Sequence, residues 1–227
     1  IHVGFDAGLG ELICGDIKFL ATTKFDVTFN GKAAHARDKP ELGRNALLAA
    51  ANAVVNLHAI PRHSAGQSRI NVGYMQAGSG RNIIPGSAFF KAETRGETAE
   101  INDYMFQKAV QVIRSAASMH DVEVRIDHIG AAHACKSSPA LLAFIREQAK
   151  RIPEIRLIRD SSTTTGSEDA TFMMSRVQEN GGLAAYIVFG TDLAAGHHNE
   201  RFDINEQVMP IAVKTLALCV WNSDHLY

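Results

Sequence analysis

Gly196-His197-His198-Asn199-Glu200 gathers two imidazoles, an amide and a carboxylate in consecutive positions behind an apolar run, Ala185 to Phe189. Imidazole is the commonest metal ligand in proteins and changes charge near neutral pH, so His198 is a candidate ligand for a divalent ion. A surface loop with polar histidines is the commoner occupant of such a stretch. The same two readings apply to His2. A metal needs several ligands converging in one place, and His2 and His198 lie nearly a chain length apart, so spacing alone does not pair them.

Ala34-His35-Ala36 sets an imidazole between two small residues, either a satisfied core histidine or a hydrogen-bond donor to a substrate carbonyl. Gly80-Arg81-Asn82 and the strand-end Arg95 bring an amide and a planar guanidinium within reach of a carboxylate, against the ordinary alternative of a surface arginine beside an Asx turn. Glu168 and Asp169 read first as negative charge at a helix N-terminus and only second as catalytic carboxylates.

The elements that must position these residues follow from periodicity. Phe25, Val27 and Phe29 alternate with Asp26 and Thr28, and Asn30-Gly31 then suits a tight turn, which predicts a hairpin over 24–36. Leu47 to His58 has helical spacing, with Pro61 as its stop. Two strands, around Ile70–Tyr74 and Ser87–Arg95, precede a helix that Thr98 can cap, and Val122, Val124 and Ile126 form a last strand. The order ββαββαβ predicts two helices returning to one antiparallel sheet, with four of the five strands making the four-stranded sheet of a ferredoxin-like unit over residues 20–132. Beyond it, Ser138-Pro139 opens a helix, Gly166-Ser167-Glu168-Asp169 opens another, and Asp203 and Glu206 have capping-box spacing before the last. With one convincing strand, Ala185 to Phe189, this α/β part looks incomplete. Residues 1–19 and 133–227 are therefore expected to be parts of an α/β domain interrupted by the ferredoxin-like unit.

A formal net charge of -1, from 23 basic and 24 acidic residues, gives no field to hold a polyanion, so nucleic acid is not an expected partner. A ferredoxin-like RNA binder is disfavoured on the same ground and by the lack of an aromatic strand motif. No apolar run approaches the roughly 20 residues that span a bilayer, so no membrane is expected. Cys14, Cys135 and Cys219 are scattered, which fits a reducing cytoplasm. Ile1-His2-Val3-Gly4 has neither a starting Met nor a signal-peptide pattern and reads as the interior of a longer protein.

Taken in order, the motifs resemble a known series. They are His2-Val3-Gly4, Gly31-Lys32-Ala33-Ala34-His35-Ala36, Gly43-Arg44-Asn45-Ala46, Arg81-Asn82-Ile83-Ile84-Pro85, Glu93-Thr94-Arg95-Gly96, Gly166-Ser167-Glu168-Asp169-Ala170 and His197-His198-Asn199-Glu200-Arg201-Phe202. The series is similar to the aminoacylase and glutamate carboxypeptidase family of binuclear metallopeptidases, in its amidohydrolase branch, across essentially the entire chain. The resemblance implies a lid and dimerisation domain inserted in a catalytic domain whose first half is missing here. It implies two divalent ions, zinc or manganese, in the intact protein, with His2 and His198 as two ligands and an upstream Cys/His segment and Glu pair supplying the rest. This chain alone is then expected to hold no metal firmly and to be inactive. The implied reaction is hydrolysis of the amide of an N-acyl amino acid such as aminobenzoyl-glutamate by metal-activated water. His35, reaching in from a partner subunit, would stabilise the oxyanion, and Asn82 and Arg95 would receive the substrate carboxylate. The implied partners are a homodimer formed through the lid and a related B subunit. The alternative reading is a noncatalytic dimerising or binding module.

Overall fold

A computed structural model of the chain describes residues 1–4, 7–17, 19–162, 167–196 and 199–226. The strands and helices are β1 (His2–Val3), β2 (Glu11–Asp16), β3 (Ala21–Asn30), β4 (Ala34–His35), α1 (Ala46–His58), β5 (Ser68–Ala77), β6 (Ile83–Ile84), β7 (Ser87–Gly96), α2 (Ala99–Met119), β8 (Glu123–Ala132), α3 (Pro139–Ala149), β9 (Leu157–Ser161), α4 (Ala170–Glu179), β10 (Val188–Phe189) and α5 (Val208–Trp221). They form two compact units, one of Ile1–Phe19 with Cys135–Tyr227 and one of Leu20–Ala134. No helix among the described residues is long and apolar enough to cross a membrane.

The unit of Leu20–Ala134 is a four-stranded antiparallel sheet in the order β5-β7-β3-β8, covered on one face by α1 and α2. Phe25, Val27 and Phe29 of β3 and Phe90 of β7 point into that face and are almost completely buried. Ala46, Ala49, Ala50 and Ala53 line the inner side of α1, and their small side chains let the helix lie close to the aromatic layer. Each helix starts at a side-chain cap: Asn45 accepts from Leu48 N and Thr98 from Ile101 N. A buried polar chain ties α2 to the sheet, with the Thr94 hydroxyl donating to Asn102 Oδ1 at 2.9 Å and Asn102 Nδ2 donating to Thr23 Oγ1 at 2.8 Å.

The hairpin expected over 24–36 is not formed. β3 pairs with β7 and β8, while β4 pairs with β6 in a separate two-stranded ladder. A two-residue type I′ turn needs positive φ at both central positions. Among the described residues positive φ occurs at Gly4, Gly10, Gly78, Gly181 and Asp121, not at Asn30 or Gly31. Gly31 serves a close approach instead: a Cβ there would sit 2.1 Å from the Arg44 carbonyl oxygen.

The other unit has a mixed sheet in the order β1-β10-β2-β9. β1 runs parallel to β10, β10 antiparallel to β2, and β2 parallel to β9. Leu12, Cys14, Ile187 and Phe189 face α3 and α5, whereas Ile13, Tyr186 and Val188 face α4 through Met174. Helix α3 begins at Pro139 behind Ser138, but the Ser138 hydroxyl accepts from Ala184 N rather than capping. The capping box expected of Asp203 and Glu206 is also absent: α5 starts behind Gln207 without a side-chain cap, and Asp203 accepts from Ile204 N.

Candidate active site

The short β4–β6 ladder sets His35 opposite Ile83, and Ala36 N donates to the Asn82 carbonyl at 3.0 Å, so His35 and Asn82 are neighbours. The ladder is anchored from both sides. Lys32 and Arg44 exchange backbone hydrogen bonds, Gly31 N donates to the Gly86 carbonyl, and Ala46 N, at the start of α1, donates to the Pro85 carbonyl. The His35 side chain is 46% exposed. Its Nδ1 accepts from the backbone N–H groups of Arg37 and Asp38, both at 3.2 Å. The core-histidine reading therefore does not describe it.

Arg95 sits near the far end of β7, opposite Arg69 of β5 and Thr22 of β3. Its guanidinium forks onto its own strand neighbour, with Nε donating to Glu93 Oε1 at 2.9 Å and a terminal nitrogen to Glu93 Oε2 at 3.2 Å. The fork expected to take a substrate carboxylate is thus filled. Asn82 lies beside the start of the same strand, and a strand of that length is on the order of 30 Å from end to end. Within one unit, Asn82 and Arg95 do not converge on one small carboxylate.

His2 lies on β1 in parallel register with Val188 and is half-buried. Its ring is 6.4 Å from that of Tyr186, between centroids, with the planes at 35°. Tyr186 stacks edge-on against Phe19 at 4.8 Å and donates its phenol hydrogen to Glu168 Oε2 at 2.8 Å. Burial, reinforced by that hydrogen bond and by the charges of Glu168 and Asp169, pushes the phenol pKa far up. The Glu168 carboxylate is thus engaged by the phenol, and α4 starts behind Asp169 without a side-chain cap. Tyr186 is the residue of this His2 neighbourhood that periodicity missed. Its signal was a phenol inside the apolar run Ala185 to Phe189, since a buried hydroxyl needs a partner.

His198 lies outside the described residues. Among the described residues no group of three or more His, Cys, Asp or Glu is gathered to hold a metal ion. His2 suits the part of one imidazole ligand, but the described donors do not by themselves make a metal centre.

Residues 22–121 match a peptidase dimerisation domain, the dimerisation domain of the M20 peptidases. The chain is 55% identical over 223 residues to indole-3-acetyl-aspartic acid hydrolase of Enterobacter agglomerans, covering 98% of this chain and 51% of the relative. It is 53% identical over 223 residues to the A subunit of p-aminobenzoyl-glutamate hydrolase from Escherichia coli K12, with the same coverage, 98% and 51%. The chain thus spans about half the length of the curated relatives it matches. The crystal structure of an aminobenzoyl-glutamate utilization protein from Klebsiella pneumoniae superposes with a TM-score of 0.86 at 51% identity, over 95% of this chain and 52% of that one. The YXEP protein of Bacillus subtilis, described as a dinuclear metal binding peptidase, shares the fold at a TM-score of 0.68 and 15% identity, over 96% of this chain and 56% of that one.

Proposed function

The chain belongs to the M20 peptidase family, and from that premise we propose that it forms the lid and part of the catalytic domain of a metal-dependent amidohydrolase. The proposed substrate is an aromatic acyl group joined through an amide to an acidic amino acid, with aminobenzoyl-glutamate foremost. The names of the two curated relatives support this class, since one pairs an indole-acetyl group with aspartate and the other an aminobenzoyl group with glutamate.

The observation that carries the reading is the β4–β6 ladder, which sets His35 beside Asn82 on an anchored, exposed edge. An exposed imidazole whose Nδ1 is already engaged has its other nitrogen left to meet an oxygen that gains charge, the part of an oxyanion donor. Asn82 offers amide hydrogens to a substrate carboxylate in the same neighbourhood. Arg95, which within one unit does not converge with Asn82, would take part only from the other subunit of a dimer and after releasing Glu93. His2 and His198 would hold divalent ions, zinc or manganese, with ligands beyond the described residues, and such ions would polarise the scissile carbonyl and activate a water. Two identical lids meeting through their dimerisation domains would let His35 of one subunit serve the other, and a related B subunit is a further proposed partner.

The test is a chimera that joins this chain to the portion of the Escherichia coli relative that it does not cover. Release of aminobenzoate from aminobenzoyl-glutamate with added zinc or manganese supports the reading. A folded, metal-loaded chimera that leaves this substrate and indole-acetyl-aspartate intact would remove it. The 227-residue chain alone is expected to show negligible turnover.

A further inference from the structure

His35 has two different ring nitrogens, and its surroundings treat them differently. Nδ1 accepts from two backbone N–H groups, Arg37 N and Asp38 N, each at 3.2 Å. An N–H cannot hydrogen-bond to a nitrogen that carries its own proton there, so a ring held this way keeps its proton on Nε2. The Asp38 carboxylate pulls the other way, since its Oδ2 lies 3.6 Å from the same Nδ1 and would favour a proton between them. That distance is beyond hydrogen-bonding range, whereas both backbone contacts lie within it. The backbone donors therefore decide the tautomer.

We propose that Arg37 and Asp38 are positioning residues for His35, whose backbone N–H groups fix the ring as the Nε2–H tautomer and so aim a hydrogen-bond donor out of the exposed edge. This rests on the reading of His35 as an oxyanion donor and adds what makes it one. The opposite tautomer would present a lone pair to a developing oxyanion and repel it. The side chains of Arg37 and Asp38 play no part in the assignment; only their N–H groups do. The turn is held in place because Ala36 N donates to the Asn82 carbonyl, so the residue that precedes the two donors is fixed to the neighbouring strand.

The experiment is a long-range proton–nitrogen correlation spectrum of the purified, nitrogen-15-labelled chain at a pH where the ring is neutral, with the His35 signals assigned by their loss in His35→Gln. The expected pattern is a pyrrole-like Nε2 and a pyridine-like Nδ1. Arg37→Ala and Asp38→Asn, which keep the backbone N–H groups, should leave that pattern unchanged. The double variant Arg37→Pro/Asp38→Pro, which removes both donors, should move it toward a mixture. A pyrrole-like Nδ1 in the unmodified chain, or a change of tautomer in Asp38→Asn, overturns the proposal, and neither measurement needs the proline variant to fold. The spectrum requires no turnover. If the expected pattern appears but His35→Ala leaves the chimera's kcat unchanged, the tautomer assignment stands and the oxyanion role alone fails.

Discussion

Tyr186 and Glu168 form a hydrogen bond of 2.8 Å between a buried phenol and a half-buried carboxylate, on the sheet face that also carries His2. The two residues come from segments 18 positions apart, and their contact ties the entrance of α4 to the approach of β10.

Tyr186→Phe should cost about 1–3 kcal/mol in urea unfolding, the usual penalty for removing one partner of a buried polar pair. Glu168→Gln, which keeps an acceptor for the phenol, should cost less. The pH dependence has a definite sign. The folded pKa of Tyr186 lies above the unfolded value of about 10, so its contribution is complete below that pH and is lost as the pH rises past it. The urea midpoint of the unmodified chain should therefore fall above pH about 10 more steeply than that of Tyr186→Phe. Equal slopes would show that the phenol is not held as described.

Cys14 gives a second alkaline effect at lower pH. It is fully buried between β2 and α3, its Sγ donates to the Leu142 carbonyl, and burial pushes its thiol up to about 11, against the opposing pull of Arg146. Stability from this group should be complete below the unfolded thiol pKa of about 8.5 and decline as the pH rises through the folded value. At pH 8 an aromatic disulfide reagent should leave Cys14 unmodified in the folded chain and reach it in urea. Mass spectrometry of the labelled peptides separates it from Cys135 and Cys219. Rapid labelling of Cys14 without denaturant would contradict its burial.

In the chimera, His35→Ala should lower kcat by something on the order of a hundredfold while KM changes little, as loss of an oxyanion donor does. Asn82→Ala should act mainly on KM if its amide binds the substrate carboxylate. An Asn82→Ala effect confined to kcat would move Asn82 into the chemistry.

Two glycines of the same unit make a paired test. Gly31→Ala places a methyl 2.1 Å from the Arg44 carbonyl oxygen, which must move and take the anchor of the β4–β6 ladder with it. A loss of about 2–4 kcal/mol, together with reduced chimera activity, is expected. Gly73→Ala meets nothing nearer than Asn71 Nδ2 at 3.6 Å and should change stability by less than about 1 kcal/mol. A mild Gly31→Ala would mean that the close approach is not required.

Alternation made β3 and β7 readable, because one face of each is buried and the other is not. β2 escaped for the opposite reason: Leu12, Ile13 and Cys14 are all fully buried, so no period of two is left to see. β9 was hidden because its sequence, Leu157-Ile158-Arg159-Asp160-Ser161, is mostly polar and its place beside β2 depends on residues far away in the chain. The expected hairpin failed because Asn30-Gly31 fits two uses, and tertiary pairing, not local preference, chose the close approach over the turn. His35 was found as a residue type in a motif, but the two N–H groups that aim it depend on a turn no composition records. Arg95 was read as available because Glu93, two positions earlier, shares its side of the strand only once the strand has formed.

In the sheet ordered β1-β10-β2-β9, each neighbouring pair joins a strand that precedes the inserted unit to one that follows it. During synthesis on the ribosome, β1 and β2 must therefore wait for these partners until the whole insert and the segments beyond it have emerged. The insert shortens that wait in entropic terms. Once it folds, Thr22 and Ala132 are paired across β3 and β8, so a loop of more than a hundred residues is already closed before the outer strands meet. The inserted unit thus acts as a staple for the polypeptide that surrounds it, and mutations that slow its folding should show up as misassembly of the outer strands β1 and β2 with β9 and β10.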